Sequence, residues 1–263
     1  MKAISSALTW VAIALLVLFA LPVMAVVRLV DWARPHYATG RAFRIVGSLV
    51  TRVNPAWRVT RTGSLPADPR HPYVVVSNHQ SNADIPLISR LPWEMKWVAK
   101  RALFSVPVLG WEMRLAADIP VDRGDPDSRA RVLLRARDAL ARRCSVMFFA
   151  EGTRSRDGRL KRFQDGAFRL AIQTGVPILP LAIDGTKDAL PAQGWQFSPA
   201  AIRLHVFDPV PTTGLTDADV PALREHVRGL IRDRIAAWRE TTPEAVDAEA
   251  GPLNPAPVGS KTA

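Results

Sequence analysis

Tyr73-Val74-Val75-Val76-Ser77-Asn78-His79-Gln80-Ser81-Asn82-Ala83-Asp84-Ile85-Pro86 begins as an apolar, β-branched run, turns polar abruptly and then takes on helical character. The pattern predicts a buried strand, an exposed turn and the start of a helix. Open α/β sheets bind ligands at the carboxyl ends of such strands, where the turn carries His79. Asp84 follows five residues later. If the turn folds it back, its carboxylate accepts the imidazole Nδ1–H, fixes the tautomer and leaves Nε2 free to take a proton. Taken alone, the same spacing also fits a surface loop whose histidine is held by a neighbouring aspartate.

A second stretch has the same form. Ser145 to Ala150 reads as another buried strand, ending in the polar turn Glu151-Gly152-Thr153-Arg154-Ser155-Arg156. The two strands would bring their polar tips to one edge of a sheet. Gly152 allows close backbone approach to an anion, and Thr153 and Arg154 supply a hydroxyl, amides and a planar fork suited to phosphate. A tight turn with a solvated arginine accounts for the same residues.

Together these stretches resemble the glycerolipid acyltransferases, typified by 1-acylglycerol-3-phosphate acyltransferase. Asn78 and His79 to Asp84 match that family's N-H-x4-D block, and Phe149 to Arg154 resembles its F-P-E-G-T-R block. His79 and Glu151 are 72 positions apart, a separation the family shares. Val176 to Leu181 resembles its last block, and Ala117 to Arg123 a weak version of its G-x-x-F-I-x-R block. Ala150 stands where proline is usual, and Ala117 and Pro120 stand where glycine and phenylalanine are usual.

The resemblance implies an α/β fold, a mixed central sheet flanked by helices, with an N-terminal membrane-associated helix or helix pair. It implies acyl transfer from a thioester, acyl-CoA or acyl carrier protein, to the sn-2 hydroxyl of 1-acylglycerol 3-phosphate, giving phosphatidic acid without a cofactor. His79 and Asp84 become the catalytic pair. Arg123, Glu151, Gly152, Thr153 and Arg154 become the glycerol-phosphate site, and Lys100 a basic group near the histidine that orients the thioester or its oxyanion. Val176, Pro177, Ile178 and Pro180 would shape the acyl site. Another lysophospholipid, a lyso-aminolipid or glycerol 3-phosphate remain alternative acceptors, because the second block is altered.

With 263 residues, 48% of them hydrophobic, the chain can build one substantial core and something more. A formal net charge of +11 attracts anionic partners without choosing among phospholipid, nucleic acid and an acidic carrier. The single cysteine, Cys144, excludes an internal disulfide framework. No G-x-S-x-G, P-loop or G-x-G-x-x-G motif is present, and the five histidines have no metal-ligand spacing, so no metal is expected.

The first segment points to the membrane. Ala3 to Val27 contains no charged residue, and Leu8 to Val27 is long enough as a helix to cross the bilayer core, about 30 Å. A signal peptide is the competing reading, but its apolar region runs about 7–15 residues, which favours a retained anchor. Arg28, Arg34, Arg41 and Arg44 after it, against Lys2 before it, place the catalytic domain on the cytoplasmic side of an inner membrane. Pro35 to Val53 reads as an interfacial helix, with Phe43, Val46, Gly47 and Val50 on one face and Arg41, Arg44 and Arg52 mostly elsewhere. The expected organisation is therefore an anchor over 1–53, an acyltransferase domain over 54–240 and a disordered tail over 241–263.

Asp125-Pro126 predicts a capped start for a helix reaching about Arg143. Its arginine-rich face lacks exposed aromatic residues for stacking, so nucleic acid is not an expected partner. A basic membrane scaffold or nucleic-acid-binding protein without catalysis is the contrasting reading, and the paired His79 and Asp84 argue against it.

Overall fold

Val74, Val75 and Val76 have no exposed surface at all, which requires a strand covered on both faces. A computed structural model describes residues 2–122 and 124–247 and places that strand at the middle of a sheet. In chain order the elements begin α1 (Lys2–Val30), α2 (Tyr37–Val53), β1 (Trp57–Gly63), β2 (Val74–Ser77), α3 (Asp84–Ile88), β3 (Met95–Lys100), α4 (Leu109–Leu115) and β4 (Ile119–Val121). They continue α5 (Pro126–Ala141), β5 (Ser145–Phe149), α6 (Gly166–Thr174), β6 (Ile178–Asp184), α7 (Thr186–Ala189), β7 (Ala200–Val206), α8 (Val220–Arg239) and α9 (Pro243–Val246).

The strand order is β1-β7-β6-β2-β5-β3-β4. β6 and β7 run antiparallel and every other neighbouring pair is parallel, so the sheet is mixed. Alternation along β2 sends Val74 and Val76 into one core with Phe163, Phe168 and Ile231, and Val75 into the other with Leu87, Trp93 and Leu179. Ser77 lies opposite Phe149 on one side and Leu181 on the other, so β2 and β5 end together. That shared end carries both polar turns.

Local signals in the sequence explain several boundaries. Asp125 accepts the Asp127 N–H at 2.9 Å with Pro126 behind it, and Gly175 ends α6 in the left-handed conformation. Asp165 stands at the N-cap of α6 without a side-chain cap bond, and its carboxylate pairs with Arg224 of α8.

α1 has a mean hydropathy of 2.8 in its most apolar window and does not project from the domain. Ser6, Thr9, Ala20 and Met24 share its buried face. Ser6 Oγ accepts the Phe197 N–H at 3.0 Å, and Trp10 Nε1 donates to the Trp195 carbonyl at 2.7 Å. The opposite face leaves Phe19 68% and Val23 60% exposed.

α2 corrects one expectation, that Arg44 sits away from the packed face. Arg44 is buried and reaches both oxygens of Asp118, at 2.7 and 2.6 Å, with Glu94 3.6 Å away. Lys96 completes the cluster, bonding Glu94 at 3.0 Å and the Ala116 carbonyl at 2.8 Å. A methyl group on Gly40 would collide with Glu94, so the glycine lets α2 lie against these charges. The guanidinium enters because two buried carboxylates, Asp118 and Glu94, wait for it, which outweighs the helix's apolar patterning.

The chain remains folded through Asp247. Val246 is fully buried, and its carbonyl accepts the Leu160 N–H at 2.7 Å. The tail expected from residue 241 thus loses its first seven positions to the domain, and residues 248–263 lie outside the described residues. Cys144 is a core thiol that burial pushes up to about 12.

Glu112 of α4 is fully buried, and neither carboxylate oxygen has a hydrogen-bond partner among the described residues. Burial raises it to about 7. Since the protonated form is the one the fold prefers, its contribution is complete below the ordinary value near 4.5 and disappears as pH rises through 7. The shift corresponds to about 3 kcal/mol. Glu112→Gln should therefore be the more stable protein at pH 8 and narrow the difference in Tm between pH 5 and pH 8. An unchanged difference would show that this carboxyl does not titrate in the fold.

Candidate active site

The turn after β2 is held from below. Asn78 acts as an extra strand residue, donating through Nδ2 to the Ile183 carbonyl at 2.8 Å and accepting the Ile183 N–H at 2.9 Å. The Ser155 N–H bonds the His79 carbonyl at 2.8 Å, tying the two polar turns together. Asp84, the first residue of α3, is thereby returned beside His79.

Its Oδ2 lies 2.7 Å from His79 Nδ1 and also accepts the N–H groups of Gln80 and Ser81, at 2.7 and 2.9 Å. An oxygen already accepting two amides can meet the ring only as an acceptor, so the imidazole carries its proton on Nδ1. Nε2 has no partner among the described residues, and the side chain retains 12% exposure. A hydroxyl arriving there meets a ring nitrogen with no other partner, on an imidazole backed by a fully buried carboxylate.

Phe149 supports the ring from one side, stacked at 3.8 Å and 12°. Trp97 meets Phe149 edge-on at 5.8 Å, and Arg44 lies 5.2 Å over Trp97. An unbroken chain of packed side chains thus joins α2 to the imidazole. The sequence marks Phe149 only as the last residue of a strand; its pairing level with Ser77 is what brings it to His79.

Glu151 was expected among the phosphate-binding residues, and its carboxylate faces inward instead. It is 5% exposed, and its two oxygens accept the His79 N–H at 2.7 Å and the Lys161 N–H at 3.1 Å. Burial pushes this carboxyl up to about 8 against those two donors. Its place is to fix the backbone of the turn that carries His79. Gly152 takes a φ of 72°, a left-handed value that favours glycine. Thr153 is exposed and Arg154 half-buried beyond it, and Arg154 has no carboxylate partner among the described residues. Lys161 Nζ bonds the Arg154 carbonyl at 2.8 Å and braces the turn.

Lys100 is exposed at the carboxyl end of β3, the same sheet edge as His79. Arg123 lies outside the described residues. Val176, Pro177, Ile178 and Pro180 are not brought to the histidine. Ile178 and Pro180 are buried in β6, Ile178 pairs with Val74 at the far end of β2, and the Pro177 carbonyl accepts the Val74 N–H. Ile178 and Pro180 are part of the buried sheet, and Val176 and Pro177 are half-buried just before it, because the strand enters from the opposite edge.

The two departures from the family blocks have physical readings. The Ala150 N–H donates to the Ser77 carbonyl at 3.1 Å, a bond that proline could not make. Ala117 has a φ of 57°, the conformation that glycine adopts freely, and holds it at a cost of about 1 kcal/mol.

Residues 58–184 match the family model described as Acyltransferase. A chloroplastic 1-acyl-sn-glycerol-3-phosphate acyltransferase of Brassica napus is 43% identical over 120 residues, 46% of this chain and 35% of that protein. The human 1-acyl-sn-glycerol-3-phosphate acyltransferase alpha is 38% identical over 173 residues, 65% of this chain and 61% of that protein. The chain thus spans between about a third and three-fifths of these relatives. The crystal structure of the 1-acyl-sn-glycerophosphate (LPA) acyltransferase PlsC from Thermotoga maritima superposes with a TM-score of 0.75 at 25% identity, covering 92% of this chain and 99% of that one. With His79 and Asp84 joined at the carboxyl edge of a sheet shared with that enzyme, residues 58–184 match the acyltransferase family model, and the chain resembles 1-acylglycerol-3-phosphate acyltransferases in sequence and in fold.

Proposed function

We propose that the protein transfers a fatty acyl group from an acyl thioester to the sn-2 hydroxyl of 1-acylglycerol 3-phosphate, forming phosphatidic acid. The observation that carries this reading is the 2.7 Å contact between His79 Nδ1 and a buried Asp84, with Nε2 left open. A free alcohol is a weak nucleophile at neutral pH and needs a base within hydrogen-bond reach. Nε2 takes the hydroxyl proton as the oxygen attacks the thioester carbonyl, and the C–S bond breaks as the tetrahedral intermediate collapses. The imidazolium, stabilised by Asp84, returns the proton to the departing sulfur, so no acyl-enzyme is required.

Arg154 and Thr153 present the phosphate-binding groups, with Arg123 and Lys100 proposed as further cationic contacts. Acyl-CoA or acyl carrier protein supplies the thioester. The exposed apolar face of α1, together with α2, seats the domain on a membrane, where acceptor and product reside.

The test is product formation from 1-acylglycerol 3-phosphate and an acyl thioester in vesicles, with Arg154→Ala beside the native protein. Loss of one charge-assisted contact to phosphate should raise the acceptor KM about tenfold or more and leave kcat near its native value. An unchanged acceptor dependence would remove Arg154 from the phosphate site.

A further inference from the structure

Outside the edge strand β4 lies a cleft of about 1330 Å³, walled by the α1–α2 link, α4, β4 and the second half of α5. His79, Asp84 and the 151–154 turn take no part in its lining. Six arginines and Lys96 line it against two carboxylates, and both carboxylates are already engaged, Asp118 by Arg44 and Asp138 by Arg142. Arg34, Arg101, Arg114 and Arg135 have no carboxylate within ion-pair distance among the described residues. So many unpaired guanidinium groups around one concavity repel each other unless an anion joins them, and their planar forks fit phosphate oxygens.

The apolar side chains at the mouth narrow the choice of anion. Trp111 and Leu134 line the cleft and remain 52% and 66% exposed. Leu29 and Val30, at the end of α1 beside Arg28, are 80% and 79% exposed, and Trp32 before Arg34 is 79% exposed. Indole and aliphatic groups beside arginine are the composition of the membrane headgroup zone. A small water-soluble phosphate would leave that apolar rim in water, whereas a lipid covers the rim with its glycerol and first methylenes.

We propose that this cleft holds the phosphate headgroup of an anionic phospholipid, at a site separate from the one where acyl transfer takes place. The lipid neutralises the arginine ring and fixes the α4–α5 side of the domain against the bilayer, while α1 supplies charge-independent attachment.

Vesicle binding of the full chain tests this without reference to turnover. Arg34→Gln/Arg135→Gln removes two cleft charges, and Arg129→Gln/Arg137→Gln removes two from α5 outside the cleft. On phosphatidylcholine vesicles containing phosphatidylglycerol, the cleft variant should bind about thirtyfold more weakly than native protein, and the α5 control only a few-fold more weakly. On pure phosphatidylcholine all three should bind alike, and equal thermal melting midpoints show that the variants are folded. Equal weakening by both variants on the anionic vesicles would overturn the cleft in favour of diffuse surface charge. Displacement of native protein by millimolar inorganic phosphate, beyond that caused by chloride at the same ionic strength, would overturn the lipid in favour of a free phosphate ligand.

Discussion

Asp84→Asn is expected to lower kcat by about 10²–10⁴-fold while the protein stays folded. Oδ2 of Asp84 accepts three donors, from His79 Nδ1, Gln80 N and Ser81 N, and Oδ1 accepts none among the described residues. An asparagine can place its carbonyl oxygen where Oδ2 stands and its NH2 where Oδ1 stands, so the turn and the tautomer survive. What disappears is the negative charge that, in the proposed mechanism, stabilises the imidazolium formed when Nε2 takes the acceptor proton. The loss should fall on kcat, with the acceptor KM little changed, because the charge matters in the transition state rather than in binding. Steady-state kinetics alongside a thermal melt separate the cases. Near-native turnover would show that the 2.7 Å contact is structural only.

Arg44→Ala is expected to destabilise the protein by about 3–5 kcal/mol, read as a lower urea midpoint at unchanged m-value. Removing the guanidinium leaves Asp118 and Glu94 buried, with Lys96 as their one remaining cation in the cluster. Asp118 would still accept the Trp97 N–H at 3.0 Å, which cannot replace two short charged bonds. Because Arg44 also lies over Trp97, and Trp97 against Phe149, the substitution should loosen the support of the His79 ring and depress kcat as well. A change below about 1 kcal/mol would place the ion cluster outside the cooperative core.

The sequence reveals most of the frame and a smaller part of the site. Val74 to Val76 and Ser145 to Phe149 are legible as central strands because apolar side chains are needed on both faces at once. The return of Asp84 to His79 is legible because both lie within a single turn. Arg44 could not be read correctly, since its partners stand 50 and 74 positions away and a lone arginine on an amphipathic helix is ordinarily solvated. Glu151 misleads for a related reason. Its place in a polar, phosphate-like turn suggests an outward carboxylate, while the actual demand comes from two backbone N–H groups that exist only once the turns have met. Phe149 and the cleft beside β4 depend on strand register and on the packing of α1, α4 and α5, which no local pattern encodes.

In the proposed mechanism His79 moves the proton in direct acyl transfer to a lysophospholipid hydroxyl. Its most direct test is phosphatidic acid formation by purified native protein and by His79→Ala, in vesicles, from 1-acylglycerol 3-phosphate with acyl-CoA or acyl carrier protein as donor. The native protein should form product, and the alanine variant, equally folded, should form at least about 10²–10⁴-fold less per unit time. Comparable rates from the two proteins would contradict the assignment of the base, and the mechanism built on it would fall.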